Sequence, residues 1–153
     1  MSGCSLILDF SGSTEPDVDA AYTQAECDFK EPNDTRDTAS VLDVSDVGPA
    51  AICPKMGVDD HDFYRITLPT SSSVSFKITY FFSSNSDLDL QLTNTAGDVL
   101  SSSRGFDNDE IIVCPGASPP CPMTLAPGDY ILEVLPGQPG MANRYDIAIG
   151  VVP

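Results

Sequence analysis

Apolar and polar residues alternate with a period of two through the second half of the chain. Val74, Phe76, Ile78 and Tyr80 share one parity, and Ser73, Ser75, Lys77 and Thr79 the other. Leu88, Leu90 and Leu92 alternate with Asp87, Asp89 and Gln91. Tyr130, Leu132 and Val134 repeat the pattern, as do Tyr145, Ile147, Ile149 and Val151. Successive side chains of a strand point to opposite faces of its sheet, so the pattern predicts strands with one buried and one wet face. Asp89, between two leucines, falls on the wet face. Turn-forming runs at Asn94–Asp98, Pro127–Asp129 and Pro136–Gly140 separate the stretches. No long helical stripe interrupts them. About seven to nine strands at this spacing predict an all-β fold, an antiparallel sandwich or jelly roll. Tyr80-Phe81-Phe82 breaks the alternation. It reads either as a strand covered on both faces or as an exposed aromatic edge, which would be a candidate binding surface.

The N-terminal part is organised differently. Residues 11–30 are rich in Ser, Thr, Pro and Asp, and their acids Glu15, Asp17, Asp19, Glu26 and Asp28 meet no basic residue before Lys30. Self-repulsion extends such a segment. The expected division is therefore an anchor and acidic tether over 1–29 and a sandwich over 30–153.

Charge narrows the function classes. Seven Lys and Arg stand against 23 Asp and Glu, a net charge of −16 in 153 residues. A surface of that sign repels phosphate backbones and anionic headgroups, which argues against nucleic acid and against peripheral membrane binding. No apolar run reaches the length of a membrane-spanning helix. A monomer in a cation-containing medium is expected, with plain solubility accounting for most of the acids.

Five cysteines stand at 4, 27, 53, 114 and 121. None has zinc-knuckle spacing, and His61 is the one histidine, so structural zinc is not expected. Cys114 and Cys121 flank a proline-rich loop and read as a bridge across a hairpin mouth; Cys27 and Cys53 are then the preferred second pair. Four cysteines allow three connectivities, so the other pairings stay open. Disulfides imply an oxidising compartment. Ser2-Gly3-Cys4-Ser5 has the small-small-Cys form of a bacterial lipoprotein site. A lipid on Cys4 would explain the odd count and would be the chain's one membrane contact. Neither a basic nor an apolar stretch stands before it, so a free or buried Cys4 is the other reading.

An ordered set of short motifs points further. Glu31-Pro32-Asn33-Asp34-Thr35, Thr38-Ala39 and Asp60-His61-Asp62-Phe63-Tyr64-Arg65-Ile66 come first. Ser86-Asp87-Leu88-Asp89-Leu90-Gln91-Leu92, Asn108-Asp109-Glu110-Ile111 and Ala126-Pro127-Gly128-Asp129-Tyr130 follow. In this order they resemble the bacterial pre-peptidase C-terminal domain family over roughly residues 30–152. The resemblance implies a β-sandwich appended to secreted enzymes, where it aids secretion, substrate binding or surface attachment. It also implies calcium at the start of the sandwich, as in the related collagen-binding domains of collagenases.

The residues allow that ion. Calcium takes six to eight oxygen ligands. Glu31, Asn33 and Asp34 cluster at the start of the domain, and Asp59, Asp60 and Asp62 stand just before a strand. One ion could bridge the two segments if they lie side by side. The collagenase relatives carry a further acid where this chain has Phe29, with Asp28 adjacent. The competing reading is an Asx-type turn in which Asn33 or Asp34 caps local amides. The run Asp107-Asn108-Asp109-Glu110 also gathers oxygens but lacks calcium-loop spacing, and it reads as a solvated loop.

No nucleophile elbow, phosphate loop or His-Glu-x-x-His helix is present, and His61 reads as a surface residue. The expectation is thus a secreted or surface-anchored module without catalysis, possessing a calcium-stabilised fold and binding an extracellular protein or polysaccharide. The alternative is a structural spacer or stabilising domain of a cell-envelope complex.

Overall fold

The alternating stretches become strands in the computed structural model, which describes residues 27, 29–43, 45–46, 48–54, 58–81, 86–117, 120–121 and 123–152. Cys4, Phe82 and most of the expected tether lie outside these residues. Among the described residues a 3₁₀ turn, Arg36–Thr38, precedes eleven strands: β1 Ser40–Val41, β2 Gly48–Ile52, β3 Asp62–Leu68, β4 Ser73–Tyr80, β5 Leu88–Asn94 and β6 Val99–Ser103. After these come β7 Asp109–Cys114, β8 Gly116–Ala117, β9 Pro120–Cys121, β10 Gly128–Pro136 and β11 Asn143–Val152.

They form an all-β sandwich. One sheet has the order β1-β3-β10-β5-β6, the other β2-β11-β4-β7, and β8-β9 make a small hairpin. Pairing is antiparallel except for β1, which runs parallel to β3. The inward parity of each strand fills the space between the sheets. Phe76 and Ile78 of β4, Leu88, Leu90 and Leu92 of β5, Ile112 of β7, and Leu132 and Val134 of β10 are fully buried. Burying each such side chain stabilises the fold by about 1.5–3 kcal/mol.

Two bridges fasten the sandwich: Cys27–Cys53 and Cys114–Cys121. The first joins the N-terminal segment to the end of β2, and the second closes the β8-β9 hairpin at the end of β7. Arg36 adds to the first attachment. Its Nη1 donates to Thr93 Oγ1 at 2.6 Å and to the Asn94 carbonyl at 3.1 Å, pinning the 31–38 segment across the outer face of the first sheet.

Three acids depart from expectation. Asp89 does point outward, yet it is buried, with Arg104 Nη1 3.6 Å from its carboxylate. The outer face of a strand is wet only where nothing lies over it, and here the Arg104 side chain does. Asp87 is buried at the mouth of β5, where Tyr80 Oη donates to it at 3.1 Å. Glu110 shares the inward parity of Ile112 and Cys114, is 2% exposed, and caps the Gly105 amide at 2.7 Å, so this part of the 107–110 run is no solvated loop.

Candidate metal centre

β3 begins beside the segment that enters the sandwich from Cys27, and the carboxylates of the two meet there. Oxygens of Glu31, Asp60 and Asp62 all lie within 4.8 Å of one another. Asp60 and Asp62 have the same strand parity, so both face the N-terminal segment while His61 between them turns away. The Phe63 amide donates to the Asn33 carbonyl at 2.9 Å, which fixes the two segments side by side.

Every ligating candidate in the cluster is held by a neighbour. Glu31 Oε2 accepts the Asn33 amide at 2.6 Å, and Asp60 Oδ2 accepts the Cys53 amide at 2.6 Å. The turn cap here is therefore made by Glu31 upon Asn33, rather than by Asn33 or Asp34 themselves. The Asn33 side chain is fully buried and aimed into the cluster. With its amide nitrogen turned inward it donates to Glu31 Oε2 at 2.9 Å and Asp62 Oδ1 at 3.2 Å. Tyr145 Oη donates to Asp62 Oδ2, and the Tyr64 and Tyr145 hydroxyls share a 2.6 Å hydrogen bond. Because the Tyr145 hydroxyl donates to Asp62, Tyr64 is the donor of that pair. A hydrogen-bonded chain thus runs from the core, across both sheets, to one oxygen of the cluster.

Burial dominates the electrostatics. It raises the Asp62 carboxyl to about 8, with the nearby Asp60 and Glu31 charges adding to the rise and the Tyr145 and Asn33 hydrogen bonds opposing it. Burial also pushes the Tyr64 and Tyr145 hydroxyls well above the usual phenol range. His61, on the opposite face, is raised chiefly by its hydrogen bond to Glu133 Oε1, 2.7 Å from Nδ1, and it stacks on Phe63. It is half-buried and partnered rather than a bare surface residue.

Of the six residues the sequence singles out, four come together: Glu31, Asn33, Asp60 and Asp62. Asp34 is exposed. Asp59 is exposed too, and its Oδ1 accepts the Gly140 amide at 2.6 Å. Neighbours in an extended chain point apart, so runs such as Asn33-Asp34 and Asp59-Asp60 cannot contribute every member to one point. Tyr145 is not legible as a site residue from the sequence. It stands 83 residues from Asp62, and its place in an alternating strand reads as core packing alone.

The donor set is all oxygen, the chemistry of a hard cation. Two ligands on opposite sides of a calcium ion stand about 4.8 Å apart, twice a calcium–oxygen distance. The spread of this cluster fits that limit. Held by its nitrogen the Asn33 amide neutralises two acceptors; rotated by half a turn it offers a fourth oxygen.

No family model matches the sequence, and no curated protein matches it. Among solved structures the fold is similar to the pre-peptidase C-terminal domain of collagenase from Bacillus anthracis, with a TM-score of 0.54 at 10% identity. That match covers 73% of this chain and 94% of the other. Aeromonas hydrophila PliG, a periplasmic lysozyme inhibitor of g-type lysozyme, also aligns, at a TM-score of 0.39 and 12% identity over 73% of this chain and 94% of that one. At such identities the likeness is one of fold, and for the collagenase domain it is the fold that the sequence motifs imply.

Proposed function

We propose that this chain is a non-catalytic binding or accessory module of the pre-peptidase C-terminal kind, acting outside the cytoplasm, with calcium at its N-terminal seam. Glu31, Asp60 and Asp62 hold the ion, and Asn33 joins them by its amide oxygen. The ion supplies positive charge where three carboxylates converge and ties the incoming segment to β3. The observation that carries this reading is the all-oxygen cluster, with Asp60 and Asp62 buried, Glu31 half-buried and the buried Asn33 side chain aimed into it. The two disulfides support an oxidising compartment. On this reading residues 1–29 are a tether, with Cys4 as its lipid anchor, and 30–153 the module.

The binding surface lies at the same end of the sandwich. β4 ends beside the start of β7, since Thr79 pairs with Asp109, and there Phe81 is 80% and Phe106 75% exposed. Exposed aromatics suit a polysaccharide or a protein partner, and the net charge of −16 disfavours nucleic acid. Tyr80 does not share this exposure; it is buried, its hydroxyl bonded to the Leu88 carbonyl at 2.8 Å.

Thermal unfolding of the oxidised protein in millimolar calcium, in chelator and in magnesium tests the cation. At a hundred times its dissociation constant a ligand stabilises by about 2.7 kcal/mol. For a domain of this size that is a rise in Tm of roughly 5–10 °C. A calcium-specific rise of that order supports the reading, and identical curves refute the calcium part of it. Retention on insoluble cell-wall polymer or immobilised matrix protein tests the binding part; passage through both leaves the spacer reading in its place.

A further inference from the structure

The two segments that carry the cluster are joined by more than the cluster itself. Cys27 stands four residues before Glu31, and Cys53 seven before Asp60. Their bridge therefore ties the segment bearing Glu31 and Asn33 to the one bearing Asp60 and Asp62. It also reaches the cluster directly, because the Asp60 carboxylate is held by the backbone amide of Cys53. Both cysteines are buried, packed with Ala51 in a small core of their own beside the main one. The other bridge, Cys114–Cys121, spans seven residues at the far end of β7 and touches neither segment.

We infer that the Cys27–Cys53 disulfide and the cation site form one thermodynamic unit, each strengthening the other. This rests on the cation reading given above. In the oxidised chain the bridge holds Asp60 in place through the Cys53 amide and keeps Glu31 within reach of it. In the reduced chain both constraints relax, and the cation must order the two segments itself. Groups that orient a metal's ligands typically alter its affinity ten- to a hundredfold, which sets the expected effect. Coupling between two equilibria is reciprocal. The factor by which the bridge raises cation affinity is the factor by which the cation favours the bridge.

The redox step balances simply. Breaking the S–S bond takes two electrons and two protons and yields two thiols, and the electrons come from an external dithiol that closes to its own disulfide. A ten- to hundredfold coupling moves the midpoint of this two-electron couple by about 30 to 60 mV toward reducing potentials.

The test is a redox titration of the wild-type chain in dithiol/disulfide buffers, with calcium and with chelator. Each bridge is followed separately by alkylation and mass spectrometry, while calorimetry on the oxidised chain measures calcium binding. The expected result is a shift of that size for Cys27–Cys53 and none for Cys114–Cys121. Equal shifts of both bridges overturn the inference, because the cation then protects the whole fold without a local link. Unchanged midpoints overturn it too; if calorimetry still finds calcium bound, the cation reading survives alone. If the oxidised chain binds no calcium, both fall. As a second reading, the double variant Cys27→Ser/Cys53→Ser, with the far bridge intact, should bind calcium ten- to a hundredfold more weakly. Wild-type affinity in a folded double variant refutes the coupling.

Discussion

Where β3 finishes and β4 begins, Leu68, Val74, Leu125 and the Cys114–Cys121 bridge close the sandwich with apolar atoms. Where β3 and β11 begin, Asn33, Asp60, Asp62, Asp87 and Glu110 are buried instead. The apolar end is stabilised by leaving water, and needs little from direction or protonation. The polar end must give every buried oxygen a partner, since an unsatisfied one costs about 1–3 kcal/mol. It meets that demand with one hydrogen bond across the sandwich, Tyr145 to Asp62, and two shorter in sequence, Tyr80 to Asp87 and Cys53 to Asp60. Even its glycines serve close approach: a Cβ on Gly137 would come within 2.5 Å of Asp87 Oδ2. An end built this way is poorer in hydrophobic stabilisation and sensitive to solutes, which suits a place where a ligand enters.

The disulfides give the largest effects by which to break the contrast. Cys27–Cys53 has a sequence separation of 26 and Cys114–Cys121 of 7. Chain-entropy arguments put their stabilisation at about 3.5 and about 2.5 kcal/mol. Calcium should widen the difference, because only the first bridge supports the cluster. Denaturant unfolding of the two Cys→Ser double variants, with and without calcium, reads it. Equal losses that calcium does not alter would remove the distinction between the ends.

Next in size is the tyrosine chain. Tyr145→Phe deletes the donor to Asp62 Oδ2 and leaves the Tyr64 hydroxyl without its acceptor in a site that stays buried. The expected loss is about 1–3 kcal/mol. A matched change at the apolar end, Val74→Ala, also destabilises, but it should leave calcium affinity untouched, whereas Tyr145→Phe should weaken it as well. Calorimetry on both variants separates a support of the site from a support of the fold.

Sequence made the apolar end far easier to read than the polar one. β4, β5, β10 and β11 follow from alternation, because burial of one face of a sheet is a property each strand carries within itself. β2 did not follow: Gly48-Pro49-Ala50-Ala51-Ile52 has no alternation, and it is a strand because β11 pairs with it. The candidate site was legible as a neighbourhood, in Glu31-Asn33 and Asp60-Asp62. Which members face inward depends on local backbone direction, and so Asp34 and Asp59 fell outside. Asp89 escapes the alternation pattern for a related reason: parity says which way a side chain points, and only the tertiary structure says that Arg104 covers it.

Asp89 also supplies the next prediction. Burial raises its carboxyl to about 6, against the opposing charge of Arg104 and with the charges of Asp87 and Glu110 adding to the rise. The native state therefore holds this proton between about pH 4 and pH 6 while the unfolded chain releases it, so stability falls as pH rises through that window. Asp89→Asn removes the titration. It should stabilise by on the order of 1 kcal/mol above pH 6 and by nothing below pH 4. Thermal unfolding of both chains across pH 3 to 8 checks this. Parallel profiles would mean that Arg104 compensates the buried charge in full.

The smallest structural effect carries the functional test. Phe81 is 80% exposed just beyond β4, and its side chain contributes little to the core. Phe81→Ser should change stability by no more than about 0.5 kcal/mol, as exposed substitutions do. Its calcium-dependent rise in Tm should be that of the wild type, since the Glu31–Asp60–Asp62 cluster is untouched. Retention on polymer or matrix protein should nevertheless drop, because an exposed aromatic contributes to binding by the area it buries in the partner. A variant with wild-type stability, wild-type calcium response and lost retention would place recognition at the polar end and separate it from the proposed cation site. Undiminished retention would move the search to the outer face of β4 and β11, where Ser75 pairs with Gly150 and Lys77 with Ala148.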